Sequence, residues 1–151
     1  MKHWFILLAV LSLLAVRLAS PGHDNPPESA PIVAPADVAS VFERSCYDCH
    51  SHRTEWPWYS HVPPVSWFVG NHVKEGREHL NFSTWGEMSE GNRLHAVMEI
   101  VEEVEKGEMP LSGYVKLHTD AALSEPDIAL IRGWAGAEGV APGVETEDHA
   151  H

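Results

Sequence analysis

Only two cysteines occur in the 151 residues, and they stand three positions apart. With both in one short motif, no disulfide is left to staple the fold. No cysteine follows the apolar leader, which excludes a lipoprotein. Cations are scarce as well: 10 Lys and Arg face 22 Asp and Glu, a formal charge of -12. Lys2 and Arg17 are two of those ten, so the chain after residue 22 carries 8 basic against 22 acidic side chains, or -14. Such a surface argues against nucleic acid and anionic headgroups, and suits a partner with a basic docking face. It would equally serve to keep an exported protein soluble. There is no strand-type alternation, internal repeat, phosphate loop or nucleophile–base pair.

Long apolar runs are limited to one. After Met-Lys-His the chain is apolar from Trp4 to Val16 and is then broken by Arg17. That length fits a signal-peptide core better than a spanning helix. Leu18-Ala19-Ser20 is a poor cleavage site, so residues 1–20 are expected to be a signal peptide or an uncleaved anchor with Arg17 snorkelling. Residues 21–36, rich in Pro, Ser and Ala, read as a linker. Residues 37–138 form the expected folded domain, and 139–151 an acidic, loose tail. The body is expected to be exported, either periplasmic or held on the periplasmic side of the membrane by the N-terminal segment.

What the chain does have is Cys46-Tyr47-Asp48-Cys49-His50. C-x-x-C-H is the pattern of covalent c-type haem attachment. Thiols three apart on one helical turn reach both vinyl groups of one porphyrin edge, and the next residue presents an imidazole to the iron. A thioredoxin-like dithiol would want a βαβ setting, which the flanks do not offer. A zinc site would need histidines for its remaining ligands. One covalent haem c is therefore the expected cofactor, and it would replace the missing disulfides as the staple.

The rest of the body reads as all-α. Asp37 can cap a helix through Val38, Val41 and Phe42 into the motif. Pro57, Pro63 and Pro64 forbid a continuous helix from His52 to Pro64, which is expected to be an ordered loop held by its aromatics. Ser66 can cap a second helix from Trp67 to about Leu80, with His72, Gly76 and His79 on its apolar face. Leu94, Val97, Met98, Val101 and Val104 mark a third helix, stopped by Lys106-Gly107 and Pro110. Ser124-Glu125-Pro126-Asp127 opens a last one, with Ile128, Ile131, Trp134 and Ala135 inward.

About four helices with the motif at the end of the first resemble class I c-type cytochromes. In those, a methionine from the loop before the last helix is the sixth ligand. Gly107-Glu108-Met109-Pro110 occupies that place here, which implies Met109; Met98 lies in a helical stripe and Met88 at a helix entrance. His72 is the next candidate, followed by His61, His79 and His118, and of these His61 and His118 could instead bond a propionate. More specifically, Cys46–Ser51, Trp56-Pro57-Trp58-Tyr59-Ser60, Pro64–Trp67, His72-Val73, Gly76-Arg77, Leu80–Ser83 with Trp85, and Gly107–Pro110 resemble the small bacterial haem-binding domain family. The likeness covers roughly residues 37–136. It implies a haem and a location more than a pathway. Trp56, Trp58 and Tyr59 are expected to wall the haem edge, and Arg53 or Arg77 to neutralise a propionate. With His50 and Met109 both bound, the iron would only exchange electrons with a redox partner. A peroxidase-like enzyme or gas sensor with an open distal side, using His61, His72 or Arg53, and a haem-stapled interaction module are the alternatives.

Overall fold

The computed structural model describes residues 2–18 and 22–139. Among them there are seven α-helices and no strand: α1 Lys2–Leu18, α2 Ala36–Ser45, α3 Tyr47–His50, α4 Val65–His79, α5 Glu90–Lys106, α6 Ser112–Val115 and α7 Glu125–Ala137. In α1, Trp4, Phe5, Ile6, Leu7, Leu8, Val10 and Leu11 are exposed. No helix among the described residues is long and apolar enough to cross a membrane. The expected cleavage region beyond Leu18 and the acidic tail from residue 140 lie outside the described residues.

The core joins α2, α5 and α7 to the segment after α4. Phe42 and Phe82 stack at 4.9 Å, and Trp134 meets Phe42 edge-on at 5.1 Å. Val97, Ile100 and Val104 of α5 and Ile131 and Ala135 of α7 close around them. Phe42 is fully buried, and a site of that kind contributes about 3–5 kcal/mol relative to alanine. The buried stripe of α5 (Ala96, Val97, Ile100, Val104) is rotated from the sequence expectation: Leu94 is 40 % exposed. The rotation turns Glu99, Glu102 and Glu103 toward a cavity described below.

Helix ends follow local chemistry. Gly107 takes the left-handed conformation (φ 72°) that ends α5, a position where a Cβ would be strained. Ser124 and Asp127 form a reciprocal capping box on α7, with Pro in its first turn. Two expected caps sit two positions off, because each helix starts earlier than expected. α2 begins at Ala36 behind Pro35, so Asp37 lies in the first turn and its Oδ1 accepts the Val38 N–H at 2.9 Å. α4 begins at Val65 behind Pro64, which leaves Ser66 inside the helix and buried.

The largest departure from the sequence reading is the segment before α2. It is a strap laid across the body. The Ile32 N–H donates to the Phe82 carbonyl at 2.8 Å, and Gly86 N–H donates back to Ala30 O at 2.9 Å. Glu28 accepts from Ser83 Oγ and from Arg53 Nε at 2.8 and 3.1 Å. Proline and alanine pointed to a spacer, but extended backbone of that composition can pair its amides without burying large side chains.

At the α3–α4 crossing, a Cβ on Gly76 would stand 2.7 Å from the Cys49 carbonyl oxygen, a backbone atom that cannot step aside. Gly76→Ala should therefore cost about 1–3 kcal/mol by overpacking. Gly91→Ala in α5, where nothing lies within 4 Å, should be neutral or stabilising. Denaturant midpoints compare the two. At α7, bonds from the Ser124 side chain and backbone, and then Arg44 at 3.0 Å, hold Asp127 below the usual carboxylate range. A lowered carboxyl stabilises the fold above its unfolded pKa of about 3.9 and ceases to as pH falls through the native value. Asp127→Asn should thus melt below wild type at pH 7, with the gap closing in acid; an equal gap at pH 7 and pH 2 contradicts this.

Candidate functional site

Both cysteines, the motif histidine and the loop methionine line one cavity of about 650 Å³. Cofactor pockets typically occupy roughly 300–1,000 Å³. α3 supplies Cys49 and His50, with Cys46 at the break just before it. Gly76, His72 and His79 come from α4, and Ile100 and Val104 from α5. Met109, Pro110, Leu111 and Tyr114 close the side that follows α5. Leu80 and Phe82 complete an apolar wall.

The chain reaches this arrangement by breaking its first body helix at Cys46 (φ -126°, ψ -35°), after the Cys46 N–H has bonded Phe42 O at 2.9 Å. A new turn follows at once, with Cys49 and His50 N–H both donating to Cys46 O, at 3.2 and 2.9 Å. The two thiols are thus on one turn and free.

His50 Nδ1 lies 2.9 Å from Gly76 O and 3.1 Å from Leu80 O. Carbonyls only accept, so Nδ1 carries the proton and Nε2 keeps its lone pair. Burial lowers the imidazole pKa, and the two carbonyls only partly offset this. A neutral ring with its far nitrogen unprotonated is the form that ligates a metal.

Burial raises the thiol of Cys46 to about 12 and that of Cys49 to about 11. A dithiol oxidoreductase needs the opposite, a thiolate accessible near neutral pH. Among the described residues no group of three or more His, Cys, Asp and Glu side chains is placed to hold a metal ion. A flat, largely apolar ring carrying its own metal fits what is present: half-buried thiols, a prepared imidazole, a thioether and apolar walls.

Several residues expected at the site are placed elsewhere. Arg77 is committed on the other side of α4, where Nε donates to Ser51 O (2.7 Å), Nη1 to Asp24 O (3.0 Å) and Nη2 to Asn25 Oδ1 and Thr54 Oγ1 (2.8 and 2.9 Å). Four bonds to the strap and the post-motif loop make it a structural clamp. Arg53 pairs with Glu28 and Glu43 over the Tyr47 ring. Trp58 is 79 % exposed, Trp56 meets the His23 ring edge-on, and Tyr59 Oη lies 3.4 Å from His118 Nε2. None of these, nor His61 or His118, is among the cavity-lining residues. The aromatic run packs locally because its prolines fold it into a 3-10 turn, Trp58–His61, beside α4.

His72 and His79 do line the cavity. His72 Nδ1 bonds Phe68 O at 2.9 Å, the ordinary i-4 carbonyl of its own helix. Sequence reasoning did not anticipate Asp48 and Tyr114, whose hydrogen bond joins positions 66 apart with no local signal. Nor did it foresee the carbonyls of Gly76 and Leu80, for which a glycine inside a helix was the one available sign.

A sequence model described as haem-binding domain matches residues 6–137. No curated protein and no solved structure matches the chain. The match covers most of the chain and agrees with the cavity's chemistry. The chain belongs to the haem-binding domain family.

Proposed function

We propose that this haem-binding protein is a mono-haem c-type cytochrome that transfers electrons. In this reading Cys46 and Cys49 carry the thioether links, and His50 and Met109 are the axial ligands. The observation that carries it is the convergence of Cys46, Cys49, His50 and Met109 on one cavity, with the His50 proton already committed to two carbonyls. The haem, when bound, supplies reversible one-electron exchange at its iron. The protein's part is placement and exclusion. Gly76 O and Leu80 O fix the imidazole's tautomer, and the apolar walls keep water back. Met109 would hold the iron's remaining position, so that oxygen or peroxide would have to displace it.

His72 is the less suitable sixth ligand. It lies one turn before Gly76 on the helix whose carbonyls back His50, and its Nδ1 is bonded to its own helix at Phe68 O. Met109 follows α5, on a different wall. Asp48, Glu75, Glu99, Glu102 and Glu103 are among the lining residues, with no Lys or Arg. Glu102 is paired with Lys106. A protein partner with a basic face would suit that acidic lining. The apolar run Trp4–Val16 is the reason to read the N-terminus as an export signal or anchor, which would put the body on the periplasmic side.

Two measurements test the reading. Protein matured in a host that attaches haem should keep one tetrapyrrole per chain, by mass, after denaturation; bare thiols would overturn the thioether assignment. The oxidised wild type should show a methionine-to-iron charge-transfer band that Met109→Ala abolishes and His72→Ala leaves. A wild type without the band, binding carbon monoxide readily when reduced, would point to the open-site enzyme or sensor instead.

A further inference from the structure

The segment carrying Met109 is held unevenly. At its start, the Glu108 and Met109 N–H groups share the Glu103 carbonyl, at 3.0 and 3.2 Å, so the chain leaves α5 in a fixed direction. Farther on it has little hydrophobic grip. α6 contributes no buried residue, and Leu111 and Leu117 are 40 % and 70 % exposed. Burial of α6 therefore does little to keep the segment on the body.

Tyr114 supplies what burial does not. Its hydroxyl donates to Asp48 Oδ2 at 2.6 Å, the short distance of a bond to a charged acceptor. Its ring stacks on His118 at 4.1 Å and 17°. The acceptor is itself fixed. Asp48 Oδ1 takes the Glu55 N–H at 2.8 Å, and its carbonyl takes the Thr54 hydroxyl at 2.8 Å. Asp48 lies between the two cysteines of the motif, and both it and Tyr114 line the cavity with Met109. Burial and the bond to Asp48 hold the phenol proton far above its ordinary range.

We propose that Tyr114 is the positioning residue for the sixth ligand, its hydroxyl latching the Met109 segment to Asp48 of the attachment motif and so keeping the thioether sulfur over the iron. This rests on the His50/Met109 reading. One edge of the site thereby sets both sides of the ring: the helical turn that presents the thiols and His50 also anchors the segment that brings the opposing ligand.

The test uses the matured, haem-loaded protein. Tyr114→Phe keeps the stacked ring and removes one bond to a charged group, which shifts a latched–open equilibrium by ~10-fold or more. The expected result is a weakened charge-transfer band and carbon monoxide affinity of the reduced protein raised by ~10-fold or more. Far-UV helicity and covalent haem content should stay the same. Asp48→Asn, which keeps one acceptor oxygen for two donors, should shift both readouts the same way but less. The double variant should go no further than Tyr114→Phe alone. Wild-type values for band and affinity in Tyr114→Phe would overturn the latch while leaving Met109 as ligand. Absence of the band in wild type would instead remove the reading on which the latch rests. Should Tyr114→Phe not mature, an unchanged affinity in Asp48→Asn overturns the proposal.

Discussion

The arrangement depends on the hydrogen bonds from one imidazole N–H to the end of one helix. α4 finishes at His79, and the carbonyls after Gly76 lack intrahelical partners. Leu80 O and Gly76 O receive the His50 proton, and Gly76 O also takes the Leu80 N–H at 2.9 Å. A cation would be favoured at such a helix end. Burial wins here and keeps the ring neutral, because a charged imidazole at this depth would lose more hydration than two carbonyls return. The same bonds fix the orientation of α3, and with it the turn that carries both thiols. That close crossing is possible only because position 76 has no side chain.

Arg77, the next residue, serves the opposite face of the same helix. Its guanidinium gathers Asp24, Asn25, Ser51 and Thr54, joining the strap before α2 to the loop after the motif. One residue of α4 thus lines the cavity while its neighbour sews the outside closed. The clamp is partly desolvated, which lowers the guanidinium's pKa, yet Arg remains charged at any ordinary pH. Its four bonds in fixed directions are of the kind a planar fork makes and a lysine does not.

Much of this was legible in the sequence where the cause is local. The thiol spacing, the glycine that stops α5 and the Ser124–Asp127 box each state their geometry within four residues, and each is found as read. The side of the site that Met109 occupies followed from its loop context, and Met109 does line the cavity. What was not legible depends on partners distant in sequence. Nothing near Arg77 distinguishes a propionate ligand from a clamp, since its acceptors are backbone and side-chain oxygens 23 to 53 positions away. The aromatic run looked like a cofactor wall because bulky rings are common to both; only the folded chain shows Trp58 facing outward. The strap was misread for a similar reason. Its contribution lies in backbone amides, which composition does not reveal.

The strap also limits distance. Because the chain is already committed to the body at Asp24 and Asn25, only a few peptide units separate that commitment from Leu18, the end of α1. From Leu18 to Asp24 the chain can extend no more than about 22 Å. An α1 retained and held in place would therefore keep the haem-binding body on a short leash, with encounters governed by turning in place more than by roaming.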